Sequence, residues 1–209
     1  MNGDTCLQSA LTACSGCEPT VLNASQLHCL EKAFDTWVAR AKGSRSIVAR
    51  NRARLVFMLL RYTGAKLGEI LELDDRTDFA LAYRKVVLGN RTDEGKNRRE
   101  VYLPESLHNE LKQVIRNSDY ASLRGVIFRL DQGYMRKIIN NRAGECGIPK
   151  PLANPNTLRR SQAVELLQDG MPLMVVQGLL GHHTYKRRSN NAPLERPNSS
   201  VAPVRKCTG

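Results

Sequence analysis

The chain of 209 residues is long enough for one sizeable domain with its own core, and its composition of 41% hydrophobic and 25% charged residues is ordinary for a soluble protein. Its longest strongly apolar run, residues 55–60, is too short to cross a bilayer. The first residues also lack the basic start and apolar stretch of a secretory signal. We therefore expect a cytoplasmic protein with no membrane partner.

Basic residues dominate the charge, with a formal net charge of +12. Residues 40–66 contain basic side chains and no acidic one: Arg40, Lys42, Arg45, Arg50, Arg52, Arg54, Arg61 and Lys66. Such a cluster is typical of a surface that binds a polyanion, whereas a merely solvated surface usually mixes the two signs. We predict that Arg45, Arg50, Arg52 and Arg54 contribute to DNA binding.

Six cysteines are present, and in a cytoplasmic protein they are expected to be reduced. One C-x-x-C pair lies near the start of the chain, and a zinc site there would draw on Cys6, Cys14, Cys17, His28 and Cys29. Their spacing is irregular, so free thiols are the preferred interpretation. We predict no metal site and no cofactor.

Helical periodicity organises the first part of the chain after a polar leader, residues 1–21. A helix start at residues 23–25 precedes an apolar stripe, and a second helix is predicted over residues 47–62. Thr63-Gly64 ends that helix, and residues 66–71 form a short third one. The pattern then changes to that of strands.

Strands are predicted at residues 79–83, 85–88 and 99–103, with Val101 and Leu103 on one face. A turn-rich basic hairpin tip lies between the last two strands. Further along, the pattern predicts helices over residues 104–115, 134–142, 155–168 and 172–180, and an extended piece at 125–128. Residues 186–209 are rich in Arg, Asn, Pro and Ser and are predicted to be a disordered basic tail.

Three segments carry a resemblance to a known family. They are Thr63-Gly64-Ala65-Lys66-Leu67-Gly68-Glu69, Asn156-Thr157-Leu158-Arg159-Arg160 and Leu180-Gly181-His182. In this order and spacing they resemble the catalytic domain of the tyrosine recombinase (phage integrase) family, whose corresponding motifs are T-G-x-R-x-x-E, H-x-L-R-H and L-G-H. The resemblance implies a mixed α/β, mostly helical fold with a small antiparallel sheet, and an integrase-like DNA-binding domain over residues 22–185.

The resemblance also implies roles for individual residues. Tyrosine recombinases attack a DNA phosphodiester with a tyrosine hydroxyl, without metal, while two arginines hold the phosphate oxygens. Arg159 and His182 stand at family positions, and we predict that both bind phosphate. Lys66 replaces the first arginine, so the positive charge is kept but the two parallel donors of a guanidinium are lost. Asn156 replaces a histidine that would exchange protons.

Two further family positions depart from the pattern. The hairpin lysine is expected between residues 91 and 99, where Lys96 is the candidate for a DNA contact although Glu94 lies nearer the expected place. The family tyrosine follows the L-G-H histidine by about nine residues, and that position is Asn191 here. Tyr185 is an alternative nucleophile, although it would need a different backbone path to the phosphate.

These residues predict a DNA-binding protein of tyrosine-recombinase lineage that is catalytically inactive and acts as a transcriptional regulator. The alternative is a recombinase, active in DNA integration, whose C-terminal tyrosine segment is lost or displaced. Double-stranded DNA is the expected partner, with a homo-oligomer on DNA left open. A helix-turn-helix over residues 158–180, or a basic face for RNA or an acidic protein, are the other interpretations.

Overall fold

Helices surround a small sheet within residues 20–89 and 98–181, which are the residues that the computed structural model describes. The elements are α1 (Ala24–Ala39), α2 (Ser44–Thr63), α3 (Leu67–Leu71), β1 (Phe79–Ala80), β2 (Lys85–Leu88), β3 (Arg99–Tyr102), α4 (Glu105–Arg116), α5 (Gln132–Glu145), α6 (Pro155–Gln168) and α7 (Leu173–Leu180). Two short 3₁₀ helices, Ser118–Leu123 and Lys150–Leu152, follow α4 and α5. The predicted mostly helical α/β class is confirmed. The predicted leader and tail lie almost wholly outside the described residues.

Local capping explains where the helices begin. Asn23 accepts the backbone N–H of Gln26 at 2.9 Å, and the Gln26 side chain accepts the Asn23 N–H at 3.0 Å, so α1 starts with a capping box. Asn154 caps α6 in the same way by accepting the Thr157 N–H at 3.0 Å, and Pro155 occupies the first turn. Both helix starts agree with the sequence prediction because these signals act over only three residues.

The core is built around α2, which packs against α1, α3 and α6. Phe57 of α2 stacks on Phe34 of α1 with ring centroids 4.1 Å apart and planes 7° from parallel. Both rings are fully buried, as are Leu55 and Leu59 of α2. Burial of these large apolar side chains is the main force that holds the helices together.

The sheet is antiparallel with the strand order β1-β2-β3. The strand predicted over residues 79–83 is shorter than expected, because residues 81–84 form a turn in which Arg84 adopts φ 54°. The extended piece predicted at 125–128 is wrong, since Val126 donates to the Leu123 carbonyl and Arg129 to the Val126 carbonyl. Its apolar run marks a buried turn, where Ile127 and Phe128 enter the core.

The α6–α7 hairpin contributes to two apolar clusters. Leu158 of α6 belongs to the main core, and Leu179 of α7 packs against it. Ala163, Val176 and Leu180 form a small separate cluster. Val175 is 48% exposed, and Val164, Leu166 and Leu167 are only half buried, because α7 is short and covers one side of α6.

No helix in the described part of the chain is long and apolar enough to cross a membrane. Within residues 20–89 and 98–181, no three side chains of His, Cys, Asp or Glu come together as metal ligands. The N-terminal cysteines Cys6, Cys14 and Cys17 lie outside the described residues.

The thiols of Cys29 and Cys146 should differ in reactivity. Burial and the neighbouring Cys29 thiol raise the pKa of the Cys146 thiol to about 12, so at pH 8 only about one molecule in 10⁴ carries the thiolate there. Cys29 is exposed, whereas Cys146 is half buried. We expect iodoacetamide at pH 8 to modify Cys29 well before Cys146, as followed by peptide mass spectrometry. Equal rates in the native protein would contradict this, and equal rates in denaturant are the control.

Candidate phosphate-binding site

The glycines of two motif segments bring the ends of two helices together. Gly64 ends α2 with φ 60° and Gly181 ends α7 with φ 74°, a left-handed conformation that glycine adopts without strain. A Cβ atom on Gly64 would lie 2.7 Å from Leu180 Cδ2, and one on Gly181 would lie 2.9 Å from Arg99 Nη1. The T-G and L-G pairs are therefore needed both for the helix ends and for their close approach.

Arg159 extends from α6 into the junction formed by the end of α2 at Gly64 and the end of α7 at Leu180. Its Nη1 donates to the Gly64 carbonyl at 2.8 Å and its Nη2 to the Leu180 carbonyl at 2.6 Å. Both of these carbonyls are neutral acceptors that orient the guanidinium. Burial lowers the pKa of Arg159, the carboxylate of Glu69 opposes that shift, and the positive charge of Arg99 adds to it. Arg159 stays protonated at neutral pH.

Arg99 of β3 reaches the same junction from the sheet. Its Nη1 and Nη2 donate to the two carboxylate oxygens of Glu69 at 2.8 and 2.9 Å, and its Nε donates to the Leu179 carbonyl at 2.5 Å. The side chains of Arg99 and Glu69 are only 11% and 13% exposed. Burial alone would raise the pKa of Glu69, but hydrogen bonds from Arg99 and from the Lys66 N–H outweigh it and lower that pKa.

Lys66 and Asn156 border the junction. The Lys66 backbone N–H donates to Glu69 Oε2 at 2.8 Å at the start of α3, and its side chain is exposed. Asn156 is exposed in the first turn of α6, three residues before Arg159 and therefore on the same side of the helix. The backbone of Lys66 and the first turn of α6 thus lie beside the junction that holds Arg159, and the roles of these residues in phosphate binding stay predictions.

The basic residues of α2 are placed differently. Arg50 donates to the Trp37 carbonyl at 2.7 Å, Arg52 donates to the carbonyls of the 126–129 turn, and Arg54 forms ion pairs with Asp35 and Glu110. Burial lowers the pKa of Arg52, and the nearby Tyr120 and Tyr134 oppose that shift. These three guanidiniums hold α2 to its neighbours, while Arg45 is exposed in the first turn. Their contact with DNA stays a prediction.

Several predicted site residues cannot be placed. His182, Lys96 and Tyr185 lie outside the described residues, as does Asn191. In contrast, the sequence interpretation missed Arg99, although a signal was present. Arg99 shares a strand face with Val101 and Leu103, so period-two alternation directs a basic side chain to the buried side of the sheet. A charge in that position requires a partner, and the partner is Glu69.

The match to a family model decides the lineage. Residues 27–188, well over half of the chain, match the model described as the phage integrase family. This chain belongs to the phage integrase family. The resemblance drawn from the three motif segments is therefore confirmed.

Curated relatives of this family member are recombinases. It is 32% identical over 137 residues to a tyrosine recombinase of Pseudothermotoga lettingae, a match that covers 63% of this chain and 46% of the relative. It is 29% identical over 178 residues to the tyrosine recombinase XerD of Listeria innocua, with 78% of this chain and 54% of the relative covered. This chain thus spans about half the length of these relatives.

Solved structures show the same fold. A crystal structure of XerA recombinase matches with a TM-score of 0.62 and 21% identity over 83% of this chain and 58% of that one. The XerH site-specific recombinase, bound to its difH substrate before cleavage, matches with a TM-score of 0.65 and 24% identity over 80% of this chain and 48% of that one. At these identities the likeness concerns the fold of this integrase-family chain.

Gly64 offers a direct test of the junction in this integrase-family fold. Gly64→Ala puts a Cβ into a left-handed conformation and 2.7 Å from Leu180 Cδ2. We expect it to lower the free energy of unfolding by about 1–3 kcal/mol, as measured by urea denaturation. Gly144→Ala is the matched control, because Gly144 lies in α5 with nothing within 4 Å of an added Cβ. Equal stability of the two variants would contradict the close approach of α2 and α7.

Proposed function

We propose that this chain is the DNA-binding, catalytic-domain part of a site-specific tyrosine recombinase, in which Arg159 binds one backbone phosphate of duplex DNA. The orientation of Arg159 by two neutral carbonyls carries the proposal, because a guanidinium fixed in direction and still charged is what bidentate phosphate binding needs. The DNA-bound XerH structures among the neighbours and the recombinase names of the relatives support the same partner.

The charge balance at the junction favours an anion. Within residues 20–89 and 98–181, Lys66, Arg99 and Arg159 contribute three positive charges, and Glu69 contributes one negative charge that is paired with Arg99. Partial burial reduces solvent screening, so a phosphate there interacts more strongly than it would at an open surface. A cytoplasmic location and assembly of several copies on DNA belong to this proposal as expectations.

The residues at the junction have different roles in the proposed phosphate contact. The planar fork of Arg159 suits two phosphate oxygens, and Lys66 adds a point charge from an exposed stem. Asn156 can donate a hydrogen bond but cannot exchange a proton near neutral pH. Proton transfer to the leaving oxygen would therefore need another group.

A second candidate function is DNA binding without strand cleavage, in a protein that regulates transcription. Lys66 and Asn156 favour it, because each removes a capability that the family motif supplies for catalysis. The two candidates share the phosphate contact and differ only in whether a covalent bond to DNA forms.

Covalent trapping on a DNA site selected by the protein itself tests both candidates. The purified chain first captures genomic fragments at about 150 mM salt, where purely electrostatic binding is weakened, and the bound fragments are sequenced. Nicked duplexes of the enriched sites are then incubated with the protein and resolved under denaturing conditions. A denaturation-resistant adduct supports the recombinase, and its loss in Tyr185→Phe would assign the nucleophile to Tyr185.

The other outcomes are equally informative. Strong enrichment beside promoters with no adduct would favour the regulator. No enrichment over input DNA would overturn both candidates, because each requires recognition of duplex DNA.

A further inference from the structure

The end of α7 is held by polar as well as apolar contacts. Leu180 belongs to the small cluster with Ala163 and Val176, and Leu179 packs against the main core. The last two carbonyls of α7, those of Leu179 and Leu180, accept hydrogen bonds from Arg99 and Arg159 respectively. The two arginines therefore bind adjacent carbonyls of the same helix end.

Arg99 connects that helix end to α3. One guanidinium spans three acceptors, the two oxygens of Glu69 and the Leu179 carbonyl, so β3, α3 and α7 meet at a single side chain. Glu69 in turn accepts the Lys66 N–H, which sets the start of α3 two residues after the Gly64 carbonyl that Arg159 uses. Each acceptor of Arg159 is thus one or two residues from a contact of the Arg99–Glu69 pair.

We propose that Arg99 is a positioning residue for Arg159, because it fixes the two backbone segments whose carbonyls aim the Arg159 guanidinium at DNA phosphate. This inference rests on the proposed function. Arg99 is not itself a phosphate ligand, since all three of its nitrogens already donate within the protein and its side chain is 11% exposed.

The role requires arginine at position 99. A lysine has one nitrogen and cannot reach both Glu69 oxygens and the Leu179 carbonyl in the directions that the guanidinium plane sets. Lys66, in the family's first arginine position, provides a single charge on an exposed stem, so it offers no such fork.

A double-mutant cycle on DNA binding tests the role. Arg99→Lys, Arg159→Gln and the double variant are titrated with a captured DNA duplex at several salt concentrations, well below each variant's midpoint of thermal unfolding. Arg159→Gln is expected to weaken binding about tenfold or more and to reduce the salt slope by about 0.9. We expect Arg99→Lys to give nearly the same loss, although it keeps the charge, and the double variant to lose less than about threefold more.

Two control variants sharpen the cycle. Glu69→Gln removes the carboxylate that the Arg99 guanidinium contacts, so it is expected to weaken DNA binding as much as Arg99→Lys does. If one of the two variants folds poorly, the other still tests the role. Arg98→Lys is the matched neighbour, because Arg98 pairs with Asp78 instead of the junction, and it should bind like the wild type.

Each contrary result is distinct. Wild-type affinity in Arg99→Lys, or additive losses in the double variant, would overturn the positioning role and leave the proposed function intact. If the double variant Arg99→Gln/Arg159→Gln lowers the slope of log affinity against log salt by about two, Arg99 is itself a phosphate ligand. That result would also overturn the positioning role. If Arg159→Gln binds DNA as well as the wild type, the proposed function fails instead.

A measurement without DNA separates these cases further. The ¹⁵N–¹H signal of Arg159 Nε in the free protein should broaden or shift in Arg99→Lys and Glu69→Gln, and stay unchanged in Arg98→Lys. An unchanged Arg159 signal in the first two variants would overturn the positioning role whatever the DNA result.

Discussion

Arg159→Ala is expected to weaken binding to duplex DNA by about 10- to 100-fold at fixed salt, because hydrogen bonds between charged groups contribute roughly 1.5–3 kcal/mol. The loss should be similar for different sequences, since a phosphate contact carries no base information. The slope of log affinity against log salt should fall by about 0.9, which corresponds to one phosphate contact. Fluorescence anisotropy across a salt series measures both quantities.

Arg160→Ala is the matched control for this prediction. Arg160 is the next residue of α6, is exposed, and donates to the Thr157 hydroxyl at 3.2 Å. Its removal takes away the same formal charge from the same helix without touching the junction, so a smaller loss is expected. An unchanged salt slope in Arg159→Ala would remove Arg159 from the DNA interface.

Phe57→Ala is expected to lower the free energy of unfolding by about 3–5 kcal/mol, the usual cost of deleting a buried aromatic ring. Phe57 is fully buried and stacks on Phe34 with centroids 4.1 Å apart, so its removal opens a cavity between α1 and α2. The whole stability of a natural domain is about 5–15 kcal/mol, and the midpoint of thermal unfolding should fall by roughly 6–20 °C. Calorimetry or circular dichroism follows the transition.

Tyr83→Ala provides the comparison for an aromatic ring outside the core. Tyr83 is 72% exposed in the turn between β1 and β2, so its loss should change the free energy of unfolding by less than about 0.5 kcal/mol. Similar losses in the two variants would show that the stack of Phe34 and Phe57 does not stabilise the fold.

Some helix boundaries followed from local signals in the sequence, whereas the helices predicted over residues 47–62 and 134–142 are longer, at Ser44–Thr63 and Gln132–Glu145. The helix predicted over residues 155–168 matches α6, Pro155–Gln168, because Asn154 caps one end and Asp169-Gly170 ends the other. The extended piece at 125–128 failed for the opposite reason. An apolar run alone does not distinguish a strand from a buried turn, and no strand among the described residues pairs with this run.

The predicted site shows the same difference between local signals and contacts distant in sequence. The motif segments and their order identified the family, and they located Arg159 and Lys66 at one junction because each segment ends or begins a helix. The roles of the arginines in α2 were not visible, because Arg54 contacts Asp35 and Glu110, and Arg52 contacts the 126–129 turn, across 19 to 77 positions of sequence. Charge clustering along the chain did not indicate which of these guanidiniums are bound within the fold.

Sequence alone therefore determined the family, the capped starts of α1 and α6 and the motif segments, since these depend on residue identity and on contacts within one or two helical turns. The tertiary structure decided the pairing of Arg99 with Glu69 and the two carbonyls that orient Arg159. Those contacts join residues 30, 95 and 21 positions apart. They form only after packing has brought α2, β3 and α7 together, because an isolated charge is buried only where a partner is already in place.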